Sequence, residues 1–354
     1  MTVFYVPIQP FEERYTGQWW RWFPQEFERQ GLEYRVIEGE PLSEKIEVGT
    51  FLDVNGSLAY QASQLRKVAA LFHSRMIKDG DVFFVADVEF WGIESIRYLA
   101  DLNGIKIKMV GFVHAGSYTK EDFFSRCARY AKHYEHAWGD VFDVLCVGSG
   151  YHQAQLYELR GVSWSKVKVT GNPYDIDEVA VKRRPQDTRK LRVIHTNRPD
   201  PEKRPGWTLD CFERLKKKHE DWHFVVTTSR PKWGSGELRE RALRLQAADV
   251  ITVVEGISKA EYLNWLSISR VMTGNTIEEN FGYCLLEALI VDTIPVVPCG
   301  FSHPELLQRD ERCLFRFSQE QDQRIEEAMA NPFSVHQYAE RYRNSLENVV
   351  RLLH

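Results

Sequence analysis

No run of about 18 apolar residues occurs in the 354-residue chain, so no membrane-spanning helix is expected. The opening MTVFYVPIQP lacks a basic n-region and a long apolar core, and reads as a strand rather than a signal peptide. Six cysteines, at positions 127, 146, 211, 284, 299 and 313, form no C-x-x-C pair and no other metal spacing. Several fall in apolar stretches, as reduced core residues of a cytoplasmic protein do. Strong charge of one sign is missing too: 46 Lys and Arg against 50 Asp and Glu leave a net charge of -4, which neither supports nor excludes a nucleic-acid partner. Internal repeats and low-complexity segments are absent.

What remains is a globular composition, 43% hydrophobic and 27% charged, with length enough for two domains. Aromatic residues are abundant at 13%, and three of the ten tryptophans, Trp19, Trp20 and Trp22, crowd one segment. Short apolar runs at 3–8, 34–37, 81–86, 105–113, 144–147 and 167–170 read as strands. Helical spacing fills most of the gaps, at 19–29, 61–77, 92–103 and 120–137, while 9–18 reads as a loop. Such alternation predicts a parallel sheet with helices on both faces and ligands beyond the carboxyl ends of its strands. Residues 172–190 carry two prolines and three consecutive basic residues without a clear period, and read as a connection between domains. The alternation then restarts, with strands at 193–196, 223–228, 251–254, 271–273, 294–297 and 314–317. The expected division is 1–180, 190–333 and a last helix within 334–354.

The stretch VMTGNTIEENFGYCLLEALIVDTIPVVP, residues 271–298, concentrates the chemistry. A strand leads through a polar loop to Gly282, which opens a helix running to about Val291, and a second strand ends at Pro298. A helix start of this kind offers unpaired N–H groups and partial positive charge, a natural seat for phosphate. Glu287 stands inside an otherwise apolar helix, where a carboxylate is costly unless something bonds to it. Two readings stand. Either an Arg or a backbone N–H elsewhere holds it as a core residue, or its partner is a ligand hydroxyl. Glu279, eight residues earlier at the helix mouth, can face the same pocket.

Glu279-Asn-Phe-Gly, four further residues, Glu287-Ala and then Thr293-Ile-Pro-Val-Val resemble the signature of retaining GT-B glycosyltransferases, family 4 in particular. The resemblance implies two doubly wound Rossmann-like domains facing a central cleft, with the last helix crossing back to the N-terminal domain. It places Glu287 on the ribose of a nucleotide sugar and Glu279 against the donor sugar. It also places the backbone N–H groups near Phe281 and Gly282 on the diphosphate. Upstream, Asn197-Arg198-Pro-Asp-Pro-Glu-Lys203-Arg-Pro-Gly206 follows a strand. An Arg and a Lys at such a strand end can neutralise a departing diphosphate, or form a plain solvated basic loop. The Arg198-to-Lys203 spacing matches the family pattern, although the glycine is displaced. Gly256 and Ile257 correspond to a loop that borders the nucleotide base, and equally suit an ordinary strand-to-helix turn.

In the N-terminal half, His114 follows a strongly apolar strand above the small residues Ala115, Gly116 and Ser117. A histidine there either caps a turn or bonds a sugar hydroxyl or phosphate, and family resemblance implies a donor-sugar contact. The first loop departs from the glycine-rich family turn: only Gly17 remains, beside Thr16, for close approach to a diphosphate. Arg14 and Tyr15 suggest acceptor contact through stacking or charge. Asp87-Val-Glu89 imitates an Asp-x-Asp metal pair, but reads as an acceptor-side or structural pair, with no metal or other cofactor expected.

The chemistry implied is breakage of a glycosyl–phosphate bond, with charge growing on the diphosphate of a UDP-sugar, UDP-glucose among them. Retention by front-face attack follows from resemblance only. VPIQPFEERYTGQWWRWFPQEF also resembles, loosely, phage enzymes that glycosylate hydroxymethylated pyrimidines, which implies 5-hydroxymethylcytosine DNA as acceptor and the host cytoplasm as location. Basic stretches at 182–184, 189–192 and 216–218 could meet a phosphate backbone, and each also suits a solvated linker or helix end. A small-molecule, lipid or glycan acceptor, a nucleotide-sugar epimerase or hydrolase, and a non-catalytic binding module remain as alternatives.

Overall fold

Residues 1–11, 15–42, 54–121 and 123–354 are described by the computed structural model, and they form two compact units. Met1–Pro173 with Asn344–His354 make the first, and Tyr174–Arg343 the second.

The first unit alternates strand and helix. In chain order it has β1 (Val3–Val6), α1 (Tyr15–Arg29), β2 (Tyr34–Val36), α2 (Val54–His73), β3 (Val82–Val85) and α3 (Glu94–Leu102). β4 (Lys108–Phe112), α4 (Ala128–Val141), β5 (Val144–Val147), α5 (Gly150–Arg160) and β6 (Val167–Val169) follow. The sheet is parallel, in the order β2-β1-β3-β4-β5-β6. Val3–Val6 and Val82–Val85 are buried along their whole length, which explains why these strands read as unbroken apolar runs rather than alternating ones. Phe4, Phe83, Val85, Met109 and Leu145 form the centre of the core.

The second unit repeats the plan. It begins with α6 (Ile176–Ala180), β7 (Lys190–His195), α7 (Pro205–Lys218), β8 (His223–Thr227), α8 (Gly236–Ala247), β9 (Thr252–Val254) and α9 (Lys259–Ser267). It continues with β10 (Ser269–Thr273), α10 (Tyr283–Ile290), β11 (Ile294–Pro298), α11 (His303–Leu306), β12 (Leu314–Phe315) and α12 (Ser318–Ala330). Its strand order is β12-β11-β10-β7-β8-β9, also parallel, so the central strands β10 and β7 deliver their loops side by side.

Four details differ from the sequence-based expectation. Helix α1 starts at Tyr15, so Thr16 and Gly17 lie in its first turn and not in a loop. The helix expected at 120–137 is a 3-10 turn, Phe123–Cys127, followed by α4. Residues 172–190 are not a bare connection: Asp175 caps α6 by accepting the Glu178 N–H at 3.1 Å, and α6 packs on α10. The last helix is broken in two, a 3-10 segment His336–Tyr342 and then α13 (Ser345–Arg351), which belongs to the first unit and packs on α1.

Candidate functional site

Loops leaving the carboxyl ends of β7 and β10 meet in the second unit. The Ile277 N–H donates to the Glu202 carbonyl at 2.9 Å, which ties the two loops together. Across that tie, Lys203 Nζ donates to Glu279 Oε2 at 2.9 Å, with Thr276 Oγ1 at 3.3 Å and the Glu278 carbonyl at 3.4 Å. Burial pushes the Glu279 carboxyl up, but Lys203, with His303 and Arg198 beyond it, outweighs this and holds it below the usual range. The pair is only partly buried, with side-chain exposures of 12% for Lys203 and 22% for Glu279, so a ligand can still reach both.

Gly282 caps α10 with φ at +88°, and a Cβ there would stand 3.2 Å from Glu279 Cγ. Glycine therefore gives the backbone a conformation other residues resist and lets the Glu279 side chain lie across the helix mouth. Phe281 is buried against Tyr283 and Tyr342, which anchors the residue preceding the cap. Asn197, Gly274, Glu279, Gly282, Cys284 and His303 line a pocket at this point. His303 Nδ1 meets the Pro298 carbonyl at 3.0 Å, and burial lowers its pKa against the opposing pull of Glu279.

Arg198 sits among acids. Its Nη1 is 3.0 Å from Asp200 and its Nη2 is 3.3 Å from Glu202. Asp200 also takes a bidentate contact from Arg230, at 2.8 and 3.2 Å. Arg198, Asp200 and Arg230 thus form a chain running from the β7 loop to the β8 loop.

Glu287 is 1% exposed, and its Oε1 accepts the Tyr174 hydroxyl at 2.9 Å and pairs with Lys259 Nζ. The holding partner is a lysine with a tyrosine, in place of the Arg or backbone N–H anticipated for a core carboxylate. Gly256 has φ +64°, and its N–H donates to the Arg230 carbonyl at 2.9 Å; the Ile257 N–H donates to the Thr228 carbonyl at 3.3 Å. Both N–H donors are thus engaged internally, which leaves the Gly256 carbonyl and the Ile257 side chain as the groups expected to border a base.

The first unit brings other candidates together. His114 Nε2 bonds the Ala86 carbonyl at 2.9 Å, and its ring packs on Tyr15, Trp19 and Phe112 with centroids 4.9–5.2 Å away. Burial lowers the His114 pKa, opposed by Asp87; the same burial raises the Asp87 pKa, opposed by His114. Asp87 Oδ1 accepts the Glu89 N–H at 3.0 Å, a local turn bond between the two residues of the apparent metal pair. Thr16 Oγ1 accepts the Phe11 N–H at 3.2 Å and is buried. Trp19 and Trp22 are core residues, 1% and 2% exposed, so neither offers a stacking face. Arg14 lies outside the described residues.

Within the basic stretches considered for a phosphate backbone, Arg189 and Arg192 are buried, whereas Lys182, Arg184, Lys190, Lys217 and Lys218 are exposed. Arg189 is 4% exposed and donates to the Ser269 carbonyl at 3.0 Å, Thr293 Oγ1 at 2.7 Å and the Val291 carbonyl. Arg192 lies over the Trp265 ring at 4.6 Å. Arg183 donates to the Ile290 carbonyl, Lys216 to the Glu220 and Trp222 carbonyls, and Lys218 pairs with Glu326.

This arrangement, two cations and a glycine-capped helix start around one carboxylate, suits an anionic ligand bearing a polar group. Residues 177–345 match the family model for glycosyl transferases, group 1. The group 1 match covers the β7 and β10 loops and both glutamates. No curated protein matches the chain in sequence. In three dimensions the chain is similar to an α,α-trehalose-phosphate synthase (UDP-forming) from Burkholderia vietnamiensis, with a TM-score of 0.63 and 14% identity, over 99% of this chain and 96% of that one. Sucrose-phosphate synthase from Thermosynechococcus elongatus gives 0.62 and 12%, over 99% and 94%. A pneumococcal O-GlcNAc transferase in complex with UDP and GlcNAc gives 0.60 and 16%, over 82% of this chain but only 59% of the transferase. At such identities the likeness is one of fold, the two-domain α/β GT-B architecture. Among the described residues, no helix is long and apolar enough to cross a membrane.

Tyr174, Lys259, Arg230 and His303 were not singled out in the sequence. The Ser-x-x-Glu spacing of Ser258 and Glu261, whose reciprocal capping box fixes the first turn of α9, is a signal that could have marked the helix start at Lys259.

Proposed function

We propose that this chain is a retaining glycosyltransferase that moves a sugar from a UDP-linked donor to an acceptor hydroxyl. The observation that carries the proposal is the Lys203–Glu279 contact at the mouth of α10, 2.9 Å long, within a segment of group 1 type. Two of the fold relatives support the donor class, one being UDP-forming and the other bound to UDP and GlcNAc.

In this reading the diphosphate settles on the α10 start near Phe281 and Gly282. Lys203 turns from Glu279 toward the oxygens that gain charge as the glycosyl–phosphate bond breaks, and Arg198 adds a second cation. Glu279 is then free to accept hydrogen bonds from the donor sugar, and Glu287 from the ribose. The Ile257 side chain and the Gly256 carbonyl border the base. The family resemblance assigns His114, Thr16 and Gly17 to the donor as well. Tyr15, Asp87, Glu89 and Arg14 serve the acceptor. With Arg198 and Lys203 supplying positive charge, the transfer requires no metal.

For the acceptor, a small-molecule, lipid or glycan hydroxyl gains on hydroxymethylated DNA. Trp19 and Trp22 are core residues, and Arg189 and Arg192 are committed inside the second unit. The test is incubation with a panel of UDP-sugars, with and without EDTA. Hydroxymethylcytosine DNA and simple sugar phosphates are offered as acceptors, followed by mass spectrometry. Transfer to a small hydroxyl without metal is expected. A DNA adduct would restore the nucleic-acid acceptor. UDP release without any glycosylated product would mark a hydrolase instead.

A further inference from the structure

The partners of Glu287 are unevenly placed. Tyr174 Oη and Lys259 Nζ both bond its Oε1. Tyr174 is itself buried, 1% exposed, and cannot move far. Lys259 differs: its side chain is 33% exposed, and its ammonium also stands 4.8 Å from the centre of the Tyr262 ring. It opens α9 directly after the loop carrying Gly256 and Ile257. The Ser258–Glu261 capping box, with Ser258 Oγ 2.8 Å from Glu261 Oε2, holds that first turn in place. An N-terminal helix position seldom demands a lysine, since cations are disfavoured at the positive end of a helix. A buried carboxylate is a sufficient reason for one here.

We infer that Lys259 is a positioning residue for ribose recognition. Together with Tyr174 it holds Glu287 through Oε1 and so orients the carboxylate toward the vicinal hydroxyls of the nucleotide's ribose. This rests on the assignment of Glu287 to the ribose made above. Its chemical basis is the donor count: a ribose diol presents two O–H donors, which a suitably oriented carboxylate accepts together. Lys259, bonded to Oε1, fixes how that carboxylate is presented. The sugar of the nucleotide, rather than its base or phosphates, is therefore what Lys259 governs.

The experiment is calorimetric titration of the full chain with UDP and with 2′-deoxy-UDP. Wild type is expected to bind UDP on the order of 10-fold tighter or more, the worth of a hydrogen bond to a charged group. In Lys259→Met that ratio is expected to fall to within about threefold, as the carboxylate is no longer held in place. Lys259→Arg keeps the cation and most of the ratio. Lys259→Gln, which retains a donor and is the milder change for folding, is expected to lose the ratio as well. A wild-type ratio in Lys259→Met or in Lys259→Gln overturns the positioning role. A wild type that binds both nucleotides equally, or neither, instead overturns the assignment of Glu287 to ribose, and the inference goes with it.

Discussion

Lys203 Nζ lies 2.9 Å from Glu279 Oε2 although 76 positions separate the two residues in sequence. The loops after β7 and β10, adjacent strands of one parallel sheet, bring them together. Each neutralises the other, and in the proposed reaction a diphosphate offers Lys203 a stronger partner. Lys203→Met is expected to lower kcat/KM for a UDP-sugar by roughly 100- to 1,000-fold, the usual effect of removing one donor to a developing oxyanion. Initial rates measured on folded variant check this. A change within about twofold would show that Lys203 does not meet the reacting charge.

Gly282→Ala is expected to destabilise the second unit by about 1–2 kcal/mol, the cost of a left-handed backbone for a residue with Cβ. The new methyl would also press on the Glu279 Cγ, 3.2 Å away, so activity should fall further than stability explains. Urea unfolding and steady-state rates on the same preparation separate the two effects. An alanine variant with unchanged midpoint would contradict the φ of +88° at this position.

How much of this was legible beforehand follows the range of the interactions. Glu279 and Glu287 share one loop and helix, and Arg198 and Lys203 share one loop, so their spacing is visible along the chain. Tyr174 and Lys259 reach Glu287 from 113 and 28 positions away, and no local pattern announces such partners. Arg189 and Arg192 misled for a related reason. A cluster of basic residues reads as solvated unless the carbonyls of Ser269 and Val291, contributed by distant turns, are known to surround it. The strands were legible because burial on both faces leaves unbroken apolar runs. The start of α1 was not, because no Ser, Thr, Asp or Asn directly precedes Tyr15; at α13 Asn344 is a capping type, but its side chain makes no cap bond.

Buried histidines set the acid limit of the fold. Burial depresses the pKa of His152 to about 3 and of His195 to about 4, and lowers those of His114 and His303. Unfolded, each would take up a proton near pH 6.5. Between that value and about 4 the unfolded chain therefore binds more protons than the folded one. Stability is complete above pH 6.5 and falls as the pH drops, by up to roughly 1.4 kcal/mol per unit for each histidine. Urea midpoints at pH 7.5, 6 and 5 should decline in that order, and a flat or rising series would reject the buried, neutral state of these rings.

Arg189→Met should cost about 3 kcal/mol or more, since it strips hydrogen bonds from Thr293 and from buried carbonyls. Burial already lowers the Arg189 pKa to about 10, as expected for a guanidinium held by neutral acceptors. The same variant should elute from a heparin or DNA column at the wild-type salt concentration. Earlier elution would return Arg189 to a nucleic-acid surface.

The segment Asn344–His354 completes the first unit, where α13 packs on α1, Arg29 lies 3.5 Å from Glu347, and Lys108 reaches the His354 carbonyl at 2.6 Å. A ribosome that has released only the first 340 residues thus holds an amino-terminal lobe whose closing helix has not yet emerged. That lobe, begun first, is finished only after the second has been made, and lesions in residues 344–354 should injure the unit built from residues 1–173.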